Sequence, residues 1–87
     1  MWTLAPNKKF IKQYKLLGSE LRNNVDLALS ELVRSDNPAK LGEYKPNLGV
    51  YAYNLDKSNR IIYTIDFPSN TIELRRVGDH KKAYKGQ

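Results

Sequence analysis

Ten residues near the end of the chain, RRVGDHKKAY from Arg75 to Tyr84, hold the only histidine, four basic residues and a tyrosine. Histidine titrates near neutrality and can give or take a proton. Arginine binds phosphate oxygens with a planar fork and a permanent charge. Tyrosine can stack on a base, position a proton or protonate a leaving group. Arg60, His80 and Tyr84 are therefore the residue types that RNA cleavage without a metal calls for. RNA carries its own nucleophile, the 2′-hydroxyl. A protein needs only to align it, help remove its proton, stabilise the charged phosphorane and protonate the leaving oxygen.

Each of these residues also has a plain structural reading, and spacing alone does not separate the two. His80 can be a solvated residue of the tail. Lys81, Lys82 and Lys85 can form a solvated face. Arg60 can pair with Asp66 or Asp79, and Tyr84 can tuck its ring against the sheet edge.

Other chemistries find little support. With one histidine, no cysteine and scattered carboxylates, the chain has no metal-ligand spacing and no thiol chemistry. Gly42, Gly49 and Gly78 do not form a phosphate loop, and no Gly-x-Ser-x-Gly elbow is present. No cofactor is expected. No stretch approaches the roughly 20 apolar residues of a membrane span, and Met1 to Leu4 lead directly to Pro6 and a lysine pair. A cytoplasmic protein with no membrane partner is expected. The formal charge of +6 on 87 residues favours a polyanion or an acidic protein as partner.

A single domain over residues 1–87 must position these groups. Trp2 to Leu4 read as a short strand. Pro6 can open a helix that carries Phe10, Ile11, Tyr14 and Leu17 at helical spacing. Gly18 interrupts, and Ser19 is a candidate N-cap. Leu21, Val25, Ala28, Leu29 and Leu32 make the apolar stripe of a second helix, ending near Arg34 before Ser35-Asp36-Asn37-Pro38. Pro38 to Asn47 reads as a loop. Leu48 to Leu55, Arg60 to Asp66 and Thr71 to Val77 then read as three strands joined by tight turns. The fold expected is α+β, with two N-terminal helices packed on one face of a small antiparallel sheet. The other face would carry Arg60, Ile62, Thr64, Glu73 and Arg75, with nothing left to cover it and the segment after Gly78 at its edge.

The order and spacing of these parts resemble the RelE/ParE superfamily of bacterial and archaeal type II toxins, over nearly the whole chain. NRIIYTID at Asn59 to Asp66 is similar to the family's Arg-Leu-Val-Tyr strand. LRRVGDHKKAYK at Leu74 to Lys85 resembles the Gly-x-His-x-x-x-(Phe/Tyr) ending of the YafQ-like branch. The resemblance implies a RelE-like fold and a ribosome-dependent mRNA endoribonuclease that acts in the ribosomal A site. Attack by the 2′-hydroxyl would leave a 2′,3′-cyclic phosphate and a 5′-hydroxyl, and translation would stop. By position, Arg60 would hold the scissile phosphate, His80 would be the catalytic histidine and Tyr84 the C-terminal aromatic. Arg75, Arg76, Lys81, Lys82 and Lys85 would contact ribosomal or messenger phosphate, with Lys57 able to reach in. An acidic antitoxin would cover the basic face, and DNA would be met only through that antitoxin. Ala52 and Asn54 stand where RelE has lysines. A ParE-like inhibitor of DNA gyrase, or a degenerate homologue that only binds its antitoxin, is the alternative.

Overall fold

A computed structural model describes residues 1–84, with the backbone alone at His80 and Lys82. The chain runs β1 (Thr3–Pro6), α1 (Lys8–Lys15), α2 (Ser19–Arg34), a single 3-10 turn (Pro38–Lys40), β2 (Glu43–Lys45), β3 (Val50–Asn54), β4 (Asn59–Asp66), β5 (Thr71–Asp79) and α3 (His80–Tyr84). The strands form one five-stranded sheet in the order β1-β5-β4-β3-β2. The α+β class and the meander hold. β1 runs parallel to β5, with Thr3 opposite Thr71 and Pro6 opposite Leu74, so the sheet is mixed.

Pro6 ends β1 and does not begin the helix. An edge strand tolerates its missing N–H, and Asn7 caps α1 by accepting from Phe10 N at 2.8 Å. Gly18 occupies the N-cap of α2 and Ser19 is its first residue, with no side-chain cap. Past Pro6 the outer edge of β5 has no strand beside it. There the side chain of Gln13 in α1 accepts from Val77 N at 2.9 Å.

The helices cover one face of the sheet. Phe10, Val25, Ala28 and Leu32 pack on Ile61, Tyr63, Ile72, Leu74 and Val77. Burying each Val, Leu or Ile contributes about 1.5–3 kcal/mol. Tyr63 is fully buried, and its hydroxyl donates to the carbonyl of Pro38 at 2.7 Å. Gly42 passes so close to that hydroxyl and to the carbonyl of Ala52 that a Cβ would stand 3.1 Å from the latter.

Two features differ from expectation, and both shape the other face. First, α3 lies over it. Ala83 joins Val50, Ala52 and Ile62 in a second buried cluster, with Tyr84 packed against it. The apolar residues Val50, Ala52 and Ile62 would otherwise face water, and α3 covers them. Second, β5 carries a bulge. Ile62 pairs with Arg76 but Tyr63 pairs with Leu74, which leaves Arg75 as an extra residue. Leu74 and Val77 both reach the helix-side core although they are three apart.

Candidate functional site

Cross-strand neighbours share a face, so the register shows which residues meet. On the face away from α1 and α2, one row holds Asn54, Arg60 and Gly78. The next holds Glu43, Ala52, Ile62 and Arg76, and Lys45 begins a third beside Val50. The bulge turns two consecutive arginines toward this face. Arg76 sits opposite Ile62, and Arg75 pairs with Glu73, whose carboxylate also accepts from Thr64 Oγ1 at 3.2 Å.

Arg60 opens β4 and Tyr84 closes α3, and the fold brings them together. The Arg60 guanidinium carbon lies 5.6 Å from the centre of the Tyr84 ring, a cation–π contact. Gly78 lies directly across from Arg60 at φ +144°, a conformation strained for any residue with a side chain. Among the described residues the ion pairs are Lys45–Glu43 and Arg75–Glu73, and Arg60 is in neither.

The Nε atoms of both Arg60 and Arg76 are buried with no hydrogen-bond partner among the described residues. Arg76 Nη1 donates to the carbonyl of Arg75 at 2.7 Å. A buried donor left without a partner costs about 1–3 kcal/mol, more for a charged group. Arg60 and Arg76 lie in adjacent rows of this face.

Lys45 Nζ donates to Glu43 Oε1 at 2.7 Å. That hydrogen bond holds the Glu43 carboxyl below its ordinary range, helped by the charges of Lys45 and Arg60. The same bond pushes the Lys45 ammonium above its ordinary range. Glu43 is thus a carboxylate and Lys45 a cation at neutral pH. Glu43–Lys45 forms β2 within the stretch whose sequence reads as loop, so neither residue stands out as a candidate from sequence. The available signal is the alternation Glu-Tyr-Lys between Gly42 and Pro46; in the fold the Tyr44 ring is tilted by 52° against Tyr51, 5.0 Å between centroids.

The remaining candidates are spread more widely. Lys81 is exposed on α3, and Lys57 is exposed in the β3–β4 turn. The side chains of His80 and Lys82, and the whole of Lys85, lie outside the described residues. Ala52 is buried beneath α3, and Asn54 is exposed across from Arg60. Among the described residues no group of three or more His, Cys, Asp or Glu is placed to hold a metal ion, and no helix is long and apolar enough to cross a membrane.

No family model matches the sequence, and no curated protein matches it. Solved structures do. The isolated E. coli RelE toxin aligns with a TM-score of 0.75 at 20% identity, over 97% of this chain and 89% of that one. The fold is RelE-like. A chain of the intact E. coli RelBE toxin–antitoxin complex aligns with a TM-score of 0.76 at 20% identity, over 94% of this chain and 100% of that one. A metal-bound toxin from Helicobacter pylori aligns with a TM-score of 0.71 at 23% identity, over 93% and 97%. At these identities the likeness concerns the fold. In this arrangement the start of β4 and α3 lie on the sheet face that α1 and α2 leave free.

Proposed function

We propose that this chain is the toxin of a type II toxin–antitoxin pair and that it cuts mRNA on the ribosome, in the cytoplasm. The observation that carries the reading is Arg60 in cation–π contact with Tyr84, with Arg76 in the adjacent row of the same sheet face. Arg60 and Arg76 would grip the non-bridging oxygens of one phosphodiester and stabilise the dianionic phosphorane. The 2′-hydroxyl would attack in line and give up its proton to solvent, forming the O2′–P bond as the P–O5′ bond breaks. His80 would protonate the leaving 5′-oxygen, and Tyr84 would stack on the adjacent base. The products would be a 2′,3′-cyclic phosphate and a 5′-hydroxyl. Arg75, Lys57, Lys81, Lys82 and Lys85 would add phosphate contacts.

The partner would be an acidic antitoxin complementary to the +6 charge. The toxin–antitoxin complexes among the structural neighbours support that choice. The burial of Ala52 and the neutral Asn54 favour a second reading, a gyrase-binding or degenerate toxin without nuclease activity.

Expression of the chain alone, with 5′ ends mapped on translated mRNA, separates the two. Frame-phased cuts that disappear in His80→Ala and Arg60→Ala are the expected result. Growth arrest with intact mRNA would instead favour gyrase, and an equally toxic pair of variants would refute the nuclease.

A further inference from the structure

The outer face of α2 differs from the rest of a chain whose formal charge is +6. α2 contains no lysine, whereas α1 carries Lys8, Lys9, Lys12 and Lys15. The inner stripe of α2, Val25, Ala28 and Leu32, packs into the core. Away from that stripe Leu27 is 70% exposed in mid-helix, and Glu20 and Arg34 are exposed on either side of it. Each stands seven residues from Leu27, close to two turns, so the three lie in one line spaced about 10 Å apart. Among the described residues neither Glu20 nor Arg34 is in an ion pair. Arg34 Nε donates to the carbonyl of Ser30 at 3.2 Å, which holds its side chain along the helix.

This order is self-complementary. When two α2 helices are set antiparallel, with Leu27 against Leu27 on a two-fold axis, positions equally far from Leu27 meet. Glu20 then meets the partner's Arg34 at both ends. Glu31, whose carboxylate accepts from the Tyr53 hydroxyl at 2.9 Å, meets the uncharged Asn23. No like charges oppose. A parallel pair would instead set Glu20 on Glu20 and Arg34 on Arg34. A basic peptide laid on this face would suit Glu20 and Glu31 but would run into Arg34, and an acidic one would suit Arg34 alone.

We infer that two copies of this chain associate through α2, antiparallel about Leu27, with a Glu20–Arg34 pair at each end. The contact is isologous, so it closes as a dimer and does not propagate. α2 has 16 residues and is about 24 Å long. A contact of that length falls below the roughly 1,200 Å² of stable complexes, so the dimer forms in a concentration-dependent way. Salt screens charges over about 8 Å at physiological strength, which weakens the repulsion between lysines elsewhere on the two copies. α2 lies across the sheet from Arg60 and Tyr84, so both candidate sites stay open in the dimer. The inference is independent of the nuclease reading.

The test uses the full purified chain at physiological salt, by sedimentation equilibrium and amide chemical shifts. The weight-average mass should rise with concentration toward that of two chains. The amides around Leu27 should move with concentration, and those of Arg60 and Gly78 should not. Leu27→Asp should weaken association at least tenfold, with the remaining amide spectrum showing the fold intact. Glu20→Arg and Arg34→Glu supply the stricter test. Either variant alone sets like charges at both ends and should associate about tenfold more weakly. Mixed in equal amounts they restore both opposite pairs, and the heterodimer should regain the original affinity. A chain that stays monomeric up to millimolar concentration would overturn the inference. So would a dimer insensitive to Leu27→Asp, or a mixture no tighter than its components. Shifts around Leu27 on adding oligolysine, with none on raising the chain concentration, would also overturn it and make the face a docking point for a basic segment.

Discussion

Deleting Arg75 should remove the β5 bulge and leave the fold standing. Ile62 faces Arg76 and Tyr63 faces Leu74, so Arg75 alone has no opposite number on β4. Without it, Leu74 and Val77 would stand two apart, as a regular strand requires, and every other pair would keep its partner. The loss is small. Arg75 pairs with Glu73 at 2.8 Å, between side chains 33% and 45% exposed. Solvent screening limits such a pair to about 0.2–1 kcal/mol. A net change within about 1 kcal/mol would move Tm by no more than about 4–8 °C. Deleting Leu74 is the contrast. It removes a side chain 1% exposed and slips a neighbouring polar residue toward the core. Loss of a buried leucine costs about 2–5 kcal/mol by itself. A chain of this size has roughly 4–13 kcal/mol in total. Urea unfolding followed by the single tryptophan, Trp2, measures both variants, since its ring is held against Phe67 at 5.7 Å. If the phosphate reading is also right, the slope of log affinity for single-stranded RNA against log salt should fall by about 0.7 without Arg75. A loss above about 3 kcal/mol in the Arg75 deletion, or an altered urea m-value, would refute the bulge.

Other consequences can be measured alongside. Arg60→Ala should lower mRNA cleavage by about 10²–10³, the usual cost of losing one donor to a developing charge. Its Tm should stay level or rise, because a buried Nε without a partner goes with the side chain. Gly42→Ala should destabilise the fold by about 1–3 kcal/mol in urea, since the new methyl group meets the Tyr63 hydroxyl and the Ala52 carbonyl. The Asp56 carboxyl is held below its ordinary range by the N–H groups of Ser58 and Asn59. A depressed carboxyl stabilises above its unfolded pKa and loses that contribution as pH falls through the folded value. The β3–β4 turn should therefore loosen only below about pH 4, and less so in Asp56→Asn, by amide exchange at Ser58 and Asn59.

Much of this architecture was legible where the pattern is local and repeated. The stripe from Val25 to Leu32 marks α2, and the alternation of Ile61, Tyr63 and Ile65 marks β4. Pieces too short to show a period were not. β2 has three residues and reads as loop between Gly42 and Pro46. β1 could be glimpsed at Trp2 to Leu4, but its parallel pairing with β5 is a contact between distant parts of the chain. The bulge had a sign in the sequence, two apolar residues three apart inside a strand, which an alternating reading passes over. α3 has five residues and earns its position by covering Val50, Ala52 and Ile62. The same distinction holds at the site. Residue types pointed to Arg60 and Tyr84, which the fold brings into contact. Lys45 and Glu43 were hidden because their strand was.

The most direct measurement combines the purified chain with ribosomes programmed by a defined mRNA. One message carries a normal ribose at the cut position and the other a 2′-deoxyribose there. The account predicts a single cut with a 2′,3′-cyclic phosphate on the normal message and none on the deoxy message. A cut that survives the 2′-deoxy substitution, or an uncut message from a chain that still arrests growth, would contradict it.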